Sequence, residues 1–202
     1  MNTVLLAGAA YLIGSISFAV IVSRAFGLPD PRTYGSGNPG ATNVLRSGRK
    51  SAAVITLAGD ALKGWLPVWL AARFATPGDA ELTMALAAAL AVIGHMYPVF
   101  HRFEGGKGVA TALGVLLGFH VYIALGAIST WVIMALFFRM SSLASITAAA
   151  FAPFATWMFY GFAHPFFTSV MVVAVLLIYR HQANIKKIIA GTESKFGAKA
   201  KL

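Results

Sequence analysis

Long apolar stretches, each near the length of a membrane span, alternate with short polar segments along this chain. A helix needs about 20 apolar residues to cross a bilayer. The first stretch runs from about Thr3 to Ser23 and gives way to a polar segment, Arg24 to Lys50. The second, from about Ala52 to Ala72, is interrupted by Asp60 and Lys63. A connector containing Pro77-Gly78 leads to a third, about Leu82 to Phe100, which opens into His101–Lys107.

Gly108–Phe138 then holds 31 uncharged residues. One helix of that length would be roughly 46 Å long, too long for one ordinary span and short for two. Gly118-Phe119-His120 is the expected break. Ser141–Tyr179 carries no charge over 39 residues and predicts two spans, with Gly161, His164 and Pro165 marking the turn. From Arg180 the tail is basic and polar. The N-terminus lacks a basic leader region and an obvious small-residue cleavage site, so Thr3 onward reads as a retained span.

Composition supports lipid as the solvent. Of 202 residues 58% are hydrophobic and only 11% charged, against about 25% charged in soluble domains. Net charge is +10, from 16 Lys and Arg against 6 Asp and Glu. With seven spans, 14 of the 16 basic residues share one side, all but Arg73 and Lys63. With six, the tail and Arg139 change assignment and the asymmetry largely collapses. The tendency of basic residues to stay in the cytoplasm therefore favours seven. The expected fold is all-α: a polytopic integral membrane protein with seven transmembrane helices, N-terminus outside and C-terminus cytoplasmic, forming a single domain over residues 1–202.

The same charge does not point to nucleic acid, since nothing resembles a nucleic-acid-binding fold. There are no cysteines, which excludes disulfides, thiolate metal sites and an acyl-thioester on the protein. No H-E-x-x-H or comparable spacing appears, so neither metal nor cofactor is expected.

Three polar segments remain as candidate chemistry. The first reads Gly35-Ser36-Gly37-Asn38-Pro39-Gly40-Ala41-Thr42-Asn43-Val44-Leu45-Arg46. Its glycines let backbone N–H groups approach an anion closely. Ser36, Asn38, Thr42 and Asn43 add neutral hydrogen-bonding groups, and Arg46 adds a planar fork that suits phosphate. Asn43 and Arg46 would share one face of a helical turn. A flexible glycine-rich loop is the plainer reading, and no Walker motif is present.

In the second segment, Gly94 to Thr111, Gly105-Gly106-Lys107-Gly108 directly precedes an apolar helix. That order brings free N–H groups, a positive helix end and an ammonium to one point. A lysine anchored at the headgroups is the alternative. His95 would face the site or cap the third helix. His120 and His164 fall at far-side turns, where interfacial placement accounts for them.

The third segment is Arg180-His181-Gln182-Ala183-Asn184-Ile185-Lys186-Lys187-Ile188-Ile189-Ala190-Gly191-Thr192-Glu193. His181 and Asn184 would share a helix face, and the isoleucines could hold this piece on the membrane surface. Lys186, Lys187, Lys195, Lys199 and Lys201 read as an ordinary basic tail. Asp60 and Lys63 are spaced to form an ion pair inside a span, either orienting the site or touching substrate.

Taken together, GSGNPGATNVLR at 35–46, DALKG at 60–64, GHMYPVFHRFEGGKGVAT at 94–111 and RHQANIKKIIAGTE at 180–193 resemble the bacterial membrane acyl-phosphate–glycerol-3-phosphate acyltransferases, the PlsY family. The resemblance is ordered along the whole chain. It implies seven membrane helices in the bacterial cytoplasmic (inner) membrane with the site facing the cytoplasm. It also implies acyl transfer from acyl-phosphate to glycerol-3-phosphate, giving lysophosphatidic acid and inorganic phosphate. By the same resemblance Ser36, Arg46, Lys107 with its glycines, His181 and Asn184 form the site. Glu104 and Gln182 depart from residues frequent in such proteins.

Two substrates with phosphate and one acyl chain suit these segments. Arg46 and Lys107 are expected to bind phosphate, helped by amides of Gly105–Gly108 or Gly35–Gly40. Ser36, Asn184 and His181 are expected to orient the glycerol hydroxyl. The base is His181 or a phosphate oxygen of the donor; Ser36 as a covalent acyl carrier comes third, since no Ser–His–Asp arrangement is readable. None of the five histidines is followed five residues later by Asp, so the H-x4-D pattern of many thioester-using acyltransferases is absent. The competing class is an anion transporter, favoured by Asp60 and Lys63 but lacking a clear internal repeat.

Overall fold

The computed structural model describes residues 1–196, and all regular structure among them is helical. Lys199 and Lys201 lie outside the described residues. In chain order the helices are α1 (Thr3–Gly14), α2 (Phe18–Ala25), α3 (Ala41–Leu45), α4 (Lys50–Phe74), α5 (Ala80–Met96), α6 (Val109–Phe119), α7 (Val121–Phe138), α8 (Ser141–Tyr160), α9 (Pro165–Arg180) and α10 (Gln182–Ile189). A single 3-10 turn covers Val99–His101 after α5.

The helix ends follow local chemistry. Asn2 caps α1, its side chain accepting from the Val4 N–H at 2.8 Å. The long uncharged run breaks at His120, whose backbone is extended and whose imidazole accepts from the Tyr122 N–H at 3.3 Å to start α7. Gly161, at φ +81, closes α8. His164 and Pro165 then open α9, with Pro165 in the first turn, where its missing N–H costs nothing. The first apolar stretch is not one helix: α1 and α2 meet at 40°, and α9 and α10 meet at 57°.

By length and composition, α5 with its following turn, α7 and α8 could each cross a bilayer alone. Counting each bent pair as one span raises the number to five. α6 is about 16 Å long, short of a hydrocarbon core of about 30 Å. α4 has 25 residues but carries Asp60 and Lys63, both buried, in its middle.

Small residues set the packing. A methyl group on Gly64 would lie 2.1 Å from the Thr111 carbonyl oxygen, and one on Gly114 only 1.9 Å from that of Ala61. α4 and α6 thus meet backbone to backbone, as helices in lipid do where side chains are small. Gly14 and Gly94 do the same between α1 and α5. The largest apolar cluster joins α5 to α9 through Val92, Met96, Val115, Ile123, Val170 and Leu177.

This packing sorts the connections to two ends. At one end the Met1 ammonium donates to the Phe74 carbonyl, Thr3 pairs with Thr83, and His164 faces Glu81 at 3.2 Å. Tyr160 links His164 to His120 through ring contacts. At the opposite end the three polar segments meet.

Candidate active site

The 30–46 segment is a compact loop closed by one buried side chain. Asn43 donates from Nδ2 to the carbonyls of Pro31 (2.7 Å) and Tyr34 (3.1 Å) and accepts from the Ser36 N–H at 3.0 Å. Gly35 lies so close that a methyl there would sit 2.3 Å from Asn43 Oδ1. Its φ of +61 is a second reason for glycine. Asn43 thus shapes the loop through its amide while also bordering the cavity described below. Ser36 and Thr42 are exposed on this loop, and Asn38 is bonded through its N–H to Ser36 Oγ at 3.4 Å. Asn43→Ala leaves two carbonyls and one N–H without partners. It is expected to cost about 2–3 kcal/mol in stability, read as a lower unfolding temperature in detergent.

The second segment folds back onto the end of α5. The Gly106 N–H donates to the His95 carbonyl at 3.1 Å, so this amide is not free for an anion. Arg180 donates to the carbonyls of Gly105 (2.8 Å) and Gly106 (3.2 Å), and its guanidinium lies over the Tyr97 ring. Gly108, at φ +82, turns the chain into α6, whose first-turn N–H groups have no acceptor within the helix. Lys107 is carried between these fixed points.

From the third segment, Asn184 accepts from Lys107 Nζ through Oδ1 and donates to Glu193 Oε1 at 2.8 Å. Ser142, at the start of α8, donates to the same carboxylate oxygen at 2.7 Å. Arg46 reaches across to Ser194 Oγ at 2.7 Å, and the Phe196 N–H donates to the Arg139 carbonyl. The chain after α10 is thereby tied to the mouth of the site. Burial above all pushes the Lys107 pKa down to about 8; Glu193 opposes this, while Arg180, Arg46 and Lys187 add to it. With Lys107, Arg180, Arg46 and Lys187 set against Glu193 alone, this half-buried place favours an anion.

His181 sits in the turn that ends α9. Its Nδ1 is 2.8 Å from the Leu177 carbonyl, which can only accept, so Nδ1 carries the proton and Nε2 is the open acceptor.

One cavity of about 300 Å³ joins these groups. Its polar mouth is formed by Ser36, Arg46, Lys107, His181, Asn184 and Glu193. From there it continues as an apolar slot between α6, α7, α8 and α9, bordered by Leu113, Trp131, Ala149, Ala152, Val170 and Ala174.

Behind the mouth lies a buried ionic group. Lys63 Nζ is 2.8 Å from Asp60 Oδ1 and donates at 2.6 Å to the Ile16 carbonyl in the gap between α1 and α2. His95 Nδ1 lies 3.2 Å from Thr111 Oγ1 and 3.7 Å from Asp60. Asp60 and His95 both border the cavity. No cluster of three or more His, Asp or Glu fit for a metal occurs among the described residues.

Residues 4–191 match the sequence model of the family described as glycerol-3-phosphate acyltransferase. The chain belongs to that family. It is 58% identical over 200 residues to a glycerol-3-phosphate acyltransferase of Ralstonia nicotianae, covering 98% of this chain and 96% of the other. The counterpart in Burkholderia pseudomallei is 57% identical over 202 residues, covering 100% and 98%. Among solved structures, PlsY (YgiH), described as an integral membrane glycerol 3-phosphate acyltransferase, matches in its glycerol 3-phosphate form. The TM-score is 0.90 at 38% identity, with 96% of each chain covered. Its lysophosphatidic acid form gives 0.88 at 37%, with 96% and 95% covered.

In this acyltransferase-family chain, most residues singled out from sequence meet at one mouth, with Asn43, Gly35 and Gly106 in supporting positions. Three further participants had no individual role assigned from sequence. Glu193 is nine residues past Asn184, with no periodicity to mark it. Ser142 is a small polar residue inside a long apolar run. Arg180 opens the basic third segment, and it clamps the Lys107 loop.

Proposed function

We propose that this chain moves a fatty acyl group from acyl-phosphate to the hydroxyl of glycerol-3-phosphate. The products are lysophosphatidic acid and inorganic phosphate, and the step is the first acylation of phospholipid synthesis. The observation that carries this reading is the single cavity whose cationic mouth runs into an apolar slot. A phosphate and a fatty chain on one molecule fit that sequence of surfaces.

The glycerol-3-phosphate hydroxyl oxygen attacks the acyl carbonyl carbon of the donor. The bond from that carbon to the phosphate oxygen breaks, and phosphate leaves with the electron pair. Acyl-phosphate is a mixed anhydride, so its leaving group is already good and the site supplies mainly position and charge. Lys107 and Arg46 hold phosphate. Ser36, Asn184 and Nε2 of His181 orient the attacking hydroxyl.

With its Nδ1 proton held by the Leu177 carbonyl, His181 presents Nε2 as a hydrogen-bond acceptor that orients the hydroxyl. A phosphate oxygen of the donor then takes the proton. His181→Ala is expected to lower kcat by about 10- to 100-fold while leaving the shape of the pH–rate profile unchanged. Loss of the acid limb from that profile would assign the proton to His181.

The enzyme is placed in the bacterial inner membrane with seven passes. The two bent pairs α1/α2 and α9/α10 each count once, beside α4, α5, α6, α7 and α8. The N-terminus is outside and the polar end is cytoplasmic, which puts most basic residues inside. Purified protein in detergent is given acyl-phosphate and glycerol-3-phosphate, and phosphate release is followed. Release that depends on glycerol-3-phosphate is expected. No such release, together with uptake of glycerol-3-phosphate into proteoliposomes, would replace the enzyme by a transporter.

A further inference from the structure

The apolar slot runs inward from the mouth between α6, α7, α8 and α9. The last residues to border it are Leu116 on α6 and Val170 on α9. One turn farther from the mouth on each helix stand Phe119 and Phe166. Their rings stack at 4.0 Å with an angle of 11° between planes, and Tyr160 meets Phe166 edge-on at 5.1 Å. Both phenylalanines are buried. The slot itself is kept open by small residues, notably Ala149 and Ala152 of α8.

Its depth follows from helix geometry. From His181 back to Val170 on α9, or from Ser141 to Ala152 on α8, the rise is about 16 Å. Half of a hydrocarbon core of about 30 Å is about 15 Å, the reach of one ordinary acyl chain in one leaflet.

We propose that the Phe119–Phe166 stack is the floor of the acyl slot, and that this floor with Ala152 sets the length of chain transferred. The inference rests on acyl-phosphate being the donor. A chain that ends at the floor buries every methylene. A longer one must bend or displace packed rings, and a shorter one leaves apolar wall uncovered. Side chains added at Ala152 occupy the lower slot; removal of the Phe166 ring deepens it.

The test is a competition in one tube. Detergent-purified enzyme receives equimolar dodecanoyl-, palmitoyl- and stearoyl-phosphate with glycerol-3-phosphate, and the lysophosphatidic acids formed at early times are quantified by mass spectrometry. Ratios between products do not depend on how much enzyme is folded. Ala152→Leu and the milder Ala152→Val are expected to raise the dodecanoyl-to-palmitoyl ratio at least about tenfold, in line with the selectivity of apolar pockets per methylene. Phe166→Ala, with Phe166→Leu as the milder change, is expected to raise the stearoyl-to-palmitoyl ratio. Unchanged ratios in the active variants overturn the floor while leaving the donor intact. Wild-type protein that makes no lysophosphatidic acid from any of the three overturns the donor reading, and the floor with it.

Discussion

Replacing Lys107 by Met is expected to lower kcat/KM about a thousandfold, equivalent to ~4 kcal/mol of transition-state stabilisation. Lys107 combines three things that surface lysines lack. Its loop is clamped by Arg180 and by the Gly106–His95 backbone bond. Its ammonium is largely buried and fixed by Asn184. The cavity on its open side is where phosphate charge would sit. Removing it leaves the leaving phosphate without its fixed counter-charge. Lys107→Arg keeps the charge but not the compact point geometry, and should recover part of the loss.

The same residue sets a pH dependence. With a pKa of about 8 in the empty site, Lys107 is charged below that pH and neutral above it. A bound phosphate favours the charged form and raises this pKa. Binding is therefore full below about pH 8 and weakens as pH rises through it. KM for the phosphate substrates should rise on the alkaline side in the wild type. In Lys107→Arg that limb moves to higher pH, because guanidinium keeps its proton. Initial-rate measurements between neutral and alkaline pH check both statements.

Gly105→Ala is expected to destabilise the protein and abolish most activity together. A methyl there would lie 2.1 Å from the His95 carbonyl oxygen, 2.5 Å from Pro98 Cδ and 2.8 Å from the Met96 carbonyl oxygen. Two of these are backbone atoms at the end of α5, so no side-chain rotation relieves the contact. Overpacking of this kind costs about 1–3 kcal/mol, or roughly 2–4 °C in unfolding temperature per kcal/mol for a chain of this size. The loop must also move, and it carries Lys107 two residues on. Gly8→Ala, where a methyl meets nothing within 4 Å, is the control expected to change neither property. Thermal unfolding in detergent and turnover, measured on both variants, separate the outcomes.

How much of this could be read from the chain depended on what kind of signal each part leaves. Charge-free length forced Gly108–Phe138 to be divided, and the division falls at His120, within the expected Gly118–His120 window. The bends at 15–17 and at His181 left no such signal, because hydropathy is insensitive to a helix changing direction. Glycine clusters marked the loops at 35–46 and 105–108, but not which amides were already taken. Asn43 and the Gly106 N–H looked available because residue type shows capacity, not the partner that consumes it. The slot was illegible for a different reason. Alanines such as Ala149 and Ala152 are as common in tight helix packing as along a cavity, and only the placement of four helices tells the two apart.

The bend between α1 and α2 ties distant parts of the gene product together. Ile16 offers a carbonyl in the gap between the two helices, and Lys63 from α4 answers it while leaning on Asp60. In hydrocarbon neither a naked carbonyl nor a lone charge is tolerated cheaply. A replacement of Lys63 alone strands both partners at once, whereas joint changes at the bend and at the pair leave no debt. Homologues that straighten the first helix should therefore be the ones free to drop the ion pair, so these three positions should drift as a unit.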